Sequence, residues 1–331
     1  MKAAFYNHKG PARKVLQVAD VPMPRPSDGE VLVSIRASGV NPSDTKTRSG
    51  ARGNTAMPFP LIIPHQDGAG VIESVGKGVP QSRIGERVWI YEAQLGQSMG
   101  TAAQYTCVPQ QNAIYLPENT SFAEGACLGV PALTAHRCVF ADGAIKGQTV
   151  LVTGGAGAVG FYAIQFAKWG GARVLATVST EQQAAIACRA GADVVLNRHS
   201  MDIVGEIANI SGGEARCVDR IIEVAFGANL ATTMQILKPR GVISTYASDV
   251  EPDPPIPFWP LIMLDATIRF VLVYVMDRRA HEDAVAATMA GLREGWLQHN
   301  IAEELPLSQV SDAHEMVECG VSGKVIIEIG S

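Results

Sequence analysis

Three glycines, Gly154, Gly157 and Gly160, follow the apolar run Val150-Leu151-Val152 with the spacing G-x-x-G-x-x-G. They open the segment Phe161 to Trp169, whose apolar residues recur with a helical period. A tight strand-to-helix turn needs glycine's free backbone, and the helix start then offers unpaired N–H groups and a positive dipole end to a pyrophosphate. The N–H groups of Ala158 and Val159 are the ones expected to face it. Glycine triplets are common in turns. A strand before this one, a helix after it and a second apolar strand over 172–178 make it a dinucleotide-binding turn.

The end of that second strand bears on which dinucleotide is bound. An acid there would hold a free ribose 2′-hydroxyl and repel a 2′-phosphate. Val178 is followed instead by Ser179 and Thr180, small hydroxyl residues that leave room for a phosphate. Glu181 lies one residue further on, where an acid suits the first turn of a helix. Gly227, Ser244, Thr245 and Tyr246 follow or end later strands, the edge at which ligands seat in open α/β sheets.

These residues need a particular scaffold. From Gln148 onward strands alternate with helices: strands are expected at 149–153, 172–178, 193–196, 218–224 and 241–246, and helices at 159–170, 181–190, 200–210 and 229–237. Thr180-x-x-Gln183 reads as a capping box for the second of these helices. Such alternation means a doubly wound parallel sheet covered on both faces. Residues 1 to about 122 differ: short β-rich runs such as 31–35, 70–75, 87–91 and 113–116 are punctuated by Gly and Pro, as in an irregular barrel or sandwich. Residues 123–140 look helical. After a proline-rich loop come a β-branched run at 268–275, a helix at about 281–296 and a last strand at 324–329. The expected division is a β-rich domain of residues 1–124, rejoined by 268–331, with a nucleotide domain of residues 125–267 inserted.

Bulk properties exclude several classes. A chain of 331 residues, 47% hydrophobic and 18% charged, is an ordinary globular protein with room for two domains. Its net charge of −5 offers no long-range attraction to nucleic acid or to an anionic membrane. The six cysteines are scattered without a C-x-x-C pair, so neither a disulfide framework nor a zinc knuckle is expected. Met1 runs directly into strand-like sequence, and the longest apolar stretch, 258–276, is broken by Pro260, Asp265 and Arg269. The expectation is a cytoplasmic protein.

The order of parts, a β-rich GroES-like domain with an inserted Rossmann domain, resembles the medium-chain dehydrogenase/reductase superfamily. Within it the chain is similar to the zinc-free quinone oxidoreductase, or zeta-crystallin, branch. The likeness is carried by Ala37-Ser38-Gly39-Val40-Asn41-Pro42-Ser43-Asp44 with Arg48-Ser49-Gly50, by Asp67-Gly68-Ala69-Gly70-Val71-Ile72, and by Gly85-Glu86-Arg87-Val88. Leu128-Gly129-Val130-Pro131-Ala132-Leu133-Thr134-Ala135, the glycine turn, Ile221-Ile222-Glu223 with Ala228-Asn229-Leu230, and Gly323-Lys324 extend it along nearly the whole chain.

Zinc members of the superfamily place a cysteine where this chain has Asn41 and a His-Glu pair where it has Gln66-Asp67. They also carry a four-cysteine lobe that has no counterpart between Trp89 and Tyr105. Amides do not replace thiolate and imidazole ligands. His65 is one residue from the ligand position, and a one-residue shift on a strand turns the side chain to the other face. No metal is expected. Zinc would stabilise an alkoxide during alcohol oxidation; without it the site suits acceptors that take hydride readily, such as quinones and enones.

The resemblance implies NADPH as coenzyme, with Arg198 beside the 2′-phosphate, Asn41 and Thr134 flanking the nicotinamide, and the backbone of Arg269-Phe270-Val271 against the carboxamide. Asn41 can bind a substrate carbonyl or a ribose hydroxyl, or simply satisfy a turn. Substrate-pocket candidates are Asn41, Arg52, Gln66, Asp67 and Tyr91, and none is identifiable as a general acid. Asp44 is expected to brace backbone, Tyr91 either lines the pocket or packs, and the histidines at 8, 136, 281, 299 and 314 are read as surface or packing residues. Arg52 stands near where the branch has a tyrosine beside the acceptor. There it would favour anionic acceptors or contact an oxyanion, unless the insert 53–59 carries it into solvent. The acceptor is a quinone by this reading, with an enoyl or alkenal reductase as the nearest alternative and a structural or RNA-binding crystallin-like protein as a second. Hydride and single-electron transfer stay open. The apolar strand expected at 269–276 would lie exposed at a sheet edge, so a homodimer through that edge is expected, with a tetramer left open.

Overall fold

The computed structural model describes residues 1–53 and 55–330, the side chain of Arg52 excepted. The chain divides into two compact units, one of residues 1–130 and 299–331, the other of residues 131–298.

The first unit opens with a short antiparallel pair, β1 (Lys2–Phe5) and β2 (Gln17–Asp20), separated by α1 (Ala12–Val15). The long strand β3 (Glu30–Val40) is the centre of its main sheet. Alternate residues Val31, Val33 and Ile35 are buried in one apolar cluster with Ile72, Val88, Ile90 and Val108. Each such fully buried side chain contributes about 1.5–3 kcal/mol relative to exposure. After α2 (Pro42–Ser49) come β4 (Asp67–Val75), β5 (Arg87–Ile90), β6 (Tyr105–Pro109) and β7 (Ala113–Tyr115). One edge of β3 pairs β4; the other pairs β6 over residues 30–34. The strands approach so closely that a Cβ on Gly70 would lie 2.1 Å from the Ser34 carbonyl oxygen, which accounts for the glycine.

The single helix expected at 123–140 is two: α3 (Phe122–Gly125) and α4 (Gly129–Phe140). Ser121 and Glu124 cap the start of α3 reciprocally, and it ends within a turn. At Gly129 a Cβ would sit 2.1 Å from Asp67 Oδ1, so the second helix starts on a residue that must be small.

The second unit is built on β8 (Thr149–Val152), α5 (Ala158–Trp169), β9 (Arg173–Val178), α6 (Glu181–Arg189), β10 (Val194–Asn197), α7 (Ile203–Ile210), β11 (Val218–Glu223), α8 (Phe226–Ile236), β12 (Leu237–Thr245), α9 (Phe258–Met263), β13 (Thr267–Phe270) and α10 (Arg278–Glu294). Its six strands lie in the order β10-β9-β8-β11-β12-β13. All pairings are parallel. This is the doubly wound Rossmann arrangement, and the order reverses between β8 and β11.

Two expectations are corrected here. Residues 268–298 do not return to the first domain: β13 pairs β12 as the sixth strand of the parallel sheet, so the return begins at His299. The strand expected at 269–276 also stops at Phe270. The Val271 N–H donates to Thr245 O at 2.8 Å, and the chain then winds into a 3₁₀ turn over Val273–Val275. The capping box is half made. Thr180 accepts from Gln183 N, but the Gln183 side chain accepts from Ser179 N instead of Thr180 N.

The return to the first unit supplies β14 (Ile301–Pro306), α11 (Val310–Glu318) and β15 (Lys324–Glu328). β15 pairs antiparallel with residues 37–40 of β3, beyond the part that pairs β6.

Candidate active site

The glycine turn has the geometry its residue types require. Gly154 has φ +64, and a Cβ on Gly160 would lie 2.2 Å from the Gly154 carbonyl oxygen. Gly157 is the N-cap of α5, and no side chain caps this helix. The first N–H groups of a helix have no partner within it. Those of Ala158 and Val159 therefore stand at an uncapped N-terminus, at the point where the strand order reverses.

At the carboxyl end of β9, Ser179 Oγ accepts a hydrogen bond from Arg198 Nε at 2.8 Å. The Arg198 N–H itself bonds Val178 O, so the guanidinium is carried to the strand end by the backbone. Thr180 is occupied as the N-cap of α6. Around the next strands, Glu223 at the end of β11 accepts from Thr153 Oγ1, Ala225 N and Asn229 Nδ2 through Oε1. Burial raises its pKa. Its Oε2 and the buried Ser244 Oγ have no hydrogen-bond partner. Both lie at the strand edge where dinucleotides seat in this fold, and polar atoms left over there fit a bound ligand. Thr245 Oγ1 and Tyr246 N both donate to Glu223 O, and Gly227 N donates to Ser248 Oγ. Arg269 is held by a bidentate pair with Asp142, at 2.6 and 2.5 Å, which also lowers the Asp142 pKa. Arg269, Phe270 and Val271 line a cavity of about 170 Å³ together with Arg137, a residue the sequence reading missed. Thr134 is buried on α4.

In the first unit Asn41, Asp67 and Lys324 meet. Asn41 Nδ2 donates to Asp67 Oδ2 at 2.8 Å; Lys324 Nζ donates to the same oxygen at 2.8 Å and to Asn41 Oδ1 at 2.6 Å. Asp67 Oδ1 takes the Val130 N–H. All three side chains are buried. Asn41 thus spends its carbonyl oxygen and one amide hydrogen inside the protein. Asp44 accepts from Asn41 N, bracing backbone as expected, and burial followed by the Asp67 charge pushes its pKa up to about 7.

Gln66 is turned into a loop: its Oε1 accepts from Gln94 N at 3.0 Å. Tyr91 packs on Trp89, and its hydroxyl donates to Gln111 O at 3.2 Å. The side chain of Arg52 lies outside the described residues. The donor set does not fit zinc, because the amides at 41 and 66 are engaged as described and an ammonium already sits on Asp67. Among the described residues no group of three or more His, Cys, Asp or Glu side chains could hold a metal ion.

His314, read as a packing or surface histidine, packs in the core, and its partner there is His65. Their Nε2 atoms are 2.9 Å apart in a fully buried pair. The His65 side chain meets Ser38 and His314, and its backbone is left-handed (φ 81) and precedes β4, so strand alternation does not set its direction.

An alcohol dehydrogenase GroES-like domain model matches residues 27–118, and a zinc-binding dehydrogenase model matches residues 158–289. Human quinone oxidoreductase is 31% identical over 93% of this chain and 92% of its own. The chain belongs to the quinone oxidoreductase family of the medium-chain dehydrogenase/reductase superfamily. It is an oxidoreductase. Among solved structures, a mycobacterial protein in complex with NADPH superposes with a TM-score of 0.87 at 26% identity, covering 99% of this chain and 100% of that one. Tomato 2-methylene-furan-3-one reductase is 37% identical over 54% of this chain and 48% of its own. Family members of this kind act on small molecules, and no described helix is long and apolar enough to cross a membrane.

Proposed function

We propose that this chain is an NADPH-dependent reductase of quinones that works without zinc. The hydrogen bond between Arg198 and Ser179 at the end of β9 carries the coenzyme assignment. A guanidinium placed there, with no acid between Val178 and Thr180, suits a 2′-phosphate. The uncapped start of α5 holds the pyrophosphate, Ser244, Thr245, Tyr246 and Gly227 border the ribose and nicotinamide, and Arg269 to Val271 meet the carboxamide in the cavity with Arg137. When bound, the coenzyme supplies a hydride. The chain's part is to hold the acceptor in register and dry.

The acceptor assignment rests on the quinone oxidoreductase relatives. Asn41, Gln66 and Asp67 border it in this reading, with Lys324 as the internal cation on Asp67. Reduction of a quinone by NADPH takes up one further proton, and no pocket side chain is assigned to deliver it. The tomato relative favours a second reading, reduction of a carbon–carbon double bond conjugated to a carbonyl.

The protein acts in this reading as a cytoplasmic homodimer. Its cysteines are free thiols, which suits a reducing compartment. Phe258, Trp259, Met263, Phe270 and Val275 are exposed around the edge strand β13, and a second copy would cover such a face. Light scattering on the wild type and on Val275→Asp tests this: a dimer that becomes monomeric supports it, and a monomeric wild type ends it.

The deciding assay follows NADPH and NADH oxidation with an ortho-quinone and with a trans-2-alkenal. Quinone turnover with NADPH preferred is the expected result. Alkenal turnover alone would replace the first reading by the second, and equal use of NADH would remove the role given to Arg198.

A further inference from the structure

His65 and His314 lie 249 residues apart in sequence and share one hydrogen bond in the core of the first unit. The ring planes are 24° apart and the centroids 5.1 Å apart. With Nε2 atoms at 2.9 Å this places the rings edge to edge, so the contact is an N–H···N bond and not a face stack. The proton positions along the chain of contacts can be assigned. Thr101 donates its hydroxyl hydrogen to Asp67 O at 2.5 Å, so it must accept from Ser38 Oγ at 2.7 Å. Ser38 in turn accepts from His65 Nδ1 at 2.8 Å. Neutral His65 then has a bare Nε2, and His314 Nε2–H donates to it. His314 Nδ1 is left buried without a partner.

The hydrogen-bond chain includes a residue with a left-handed backbone. His65 has φ 81, a conformation that side chains bearing a Cβ rarely adopt. Gln66 and Asp67 come directly after it. Backbone strain of this kind persists where the surroundings over-determine it. Here the imidazole pair does so from the side chain, and the Thr101 N–H does so by bonding His65 O at 3.1 Å.

We propose that His65 and His314 are positioning residues for the acceptor pocket: their bond holds the backbone of His65 left-handed and so sets the direction in which Gln66 and Asp67 enter β4. The proposal rests on the reading that Asn41, Gln66 and Asp67 border the acceptor. It also gives α11, which carries His314, a purpose in the site although none of its side chains belongs to the pocket.

Glycine separates the two parts of the idea, because it adopts a positive φ without strain. His65→Ala loses the bond and keeps the strain; His65→Gly loses the bond and removes the strain; His314→Leu leaves His65 strained without its clamp. The expected order is a several-fold rise in the acceptor KM for His65→Ala and His314→Leu and a smaller rise for His65→Gly, with the NADPH KM unchanged in all three. A residue that only supported the fold would lower the active fraction, and hence the apparent kcat, without moving either KM. An unchanged acceptor KM, both KM values rising together, or His65→Gly as impaired as His65→Ala would each overturn the proposal. Hydrogen–deuterium exchange reads the same idea without turnover. Amides of residues 66–70 should exchange faster in His314→Leu than in the wild type, and unchanged exchange there overturns the proposal even if no quinone is reduced. A wild type that reduces no acceptor, with exchange still accelerated in His314→Leu, removes the proposed activity and leaves the clamp in place.

Discussion

Lys324 Nζ lies 2.8 Å from Asp67 Oδ2, with the two side chains 2% and 0% exposed. An ion pair so removed from water is costly to form, and costlier to break on one side only. Asp67 offsets its burial by accepting three hydrogen bonds, from Asn41, Lys324 and the Val130 N–H. Removing the ammonium in Lys324→Met leaves a buried carboxylate short of its countercharge, so a loss of about 3–5 kcal/mol is expected. Urea unfolding measures it. Adding Asp67→Asn should recover part of the loss, and strictly additive losses would mean that the pair is not coupled.

Arg198 offers the sharpest test of coenzyme choice. Loss of a charged hydrogen bond to a phosphate costs about 1.5–3 kcal/mol, which is roughly ten- to a hundredfold in affinity. Arg198→Ala should raise the KM for NADPH by that order while leaving the KM for NADH nearly unchanged. Equal changes for both coenzymes would place the 2′-phosphate elsewhere.

Gly160 lies against the Gly154 carbonyl oxygen, where a Cβ would come within 2.2 Å. Gly160→Ala must push the turn open, at a cost of about 1–3 kcal/mol typical of overpacking. Fluorescence titration should show NADPH binding weakened more than the thermal midpoint would suggest, because the displaced atoms border the pyrophosphate site.

The histidine pair makes stability depend on pH. Burial depresses both pKa values, that of His314 to about 3 with Arg48 adding to the effect, and that of His65 well below 6.5 with His314 and Lys324 adding. Between pH 6.5 and about 3 the unfolded chain therefore binds protons at these positions that the folded chain refuses. The stability they supply is complete above pH 6.5 and is lost as the pH falls through that window. Asp44, raised to about 7, acts in the opposite sense, since the folded chain holds its proton more tightly than the unfolded one between about pH 4 and 7. The difference between wild type and the His65→Asn/His314→Leu variant isolates the histidine contribution. Their thermal midpoints should converge as the pH is lowered from 7 to 4, and a constant gap would contradict neutral, buried imidazoles.

The Rossmann half was legible because its signals are local. Gly154, Gly157 and Gly160 are needed by one turn, and the alternation of apolar runs needs no distant partner to be read. Where the reading failed, a neighbour in space had the casting vote: residues 268–275 have the composition of a single strand, yet only their pairing with β12 puts Thr267–Phe270 in the parallel sheet, and after the last ladder bond, from Val271 N–H to Thr245 O, the chain leaves the sheet for the 3₁₀ turn at Val273–Val275.

The site divides in the same way. Ser179 could be named because it stands at the end of a strand that the sequence delineates, and Arg198 because the family resemblance marks its position; their bond arises from adjacent strands. Asn41 and Asp67 could be named as positions in a motif, but not that their polar atoms are turned toward Lys324, an isolated cation at the head of the apolar run 325–327. The pairing of His65 with His314 left no trace at all. Hydrophobic period and turn chemistry report on neighbours along the chain, whereas a buried polar bond between residues far apart is decided when α11 packs against the sheet of the first unit and two rings must satisfy each other away from water.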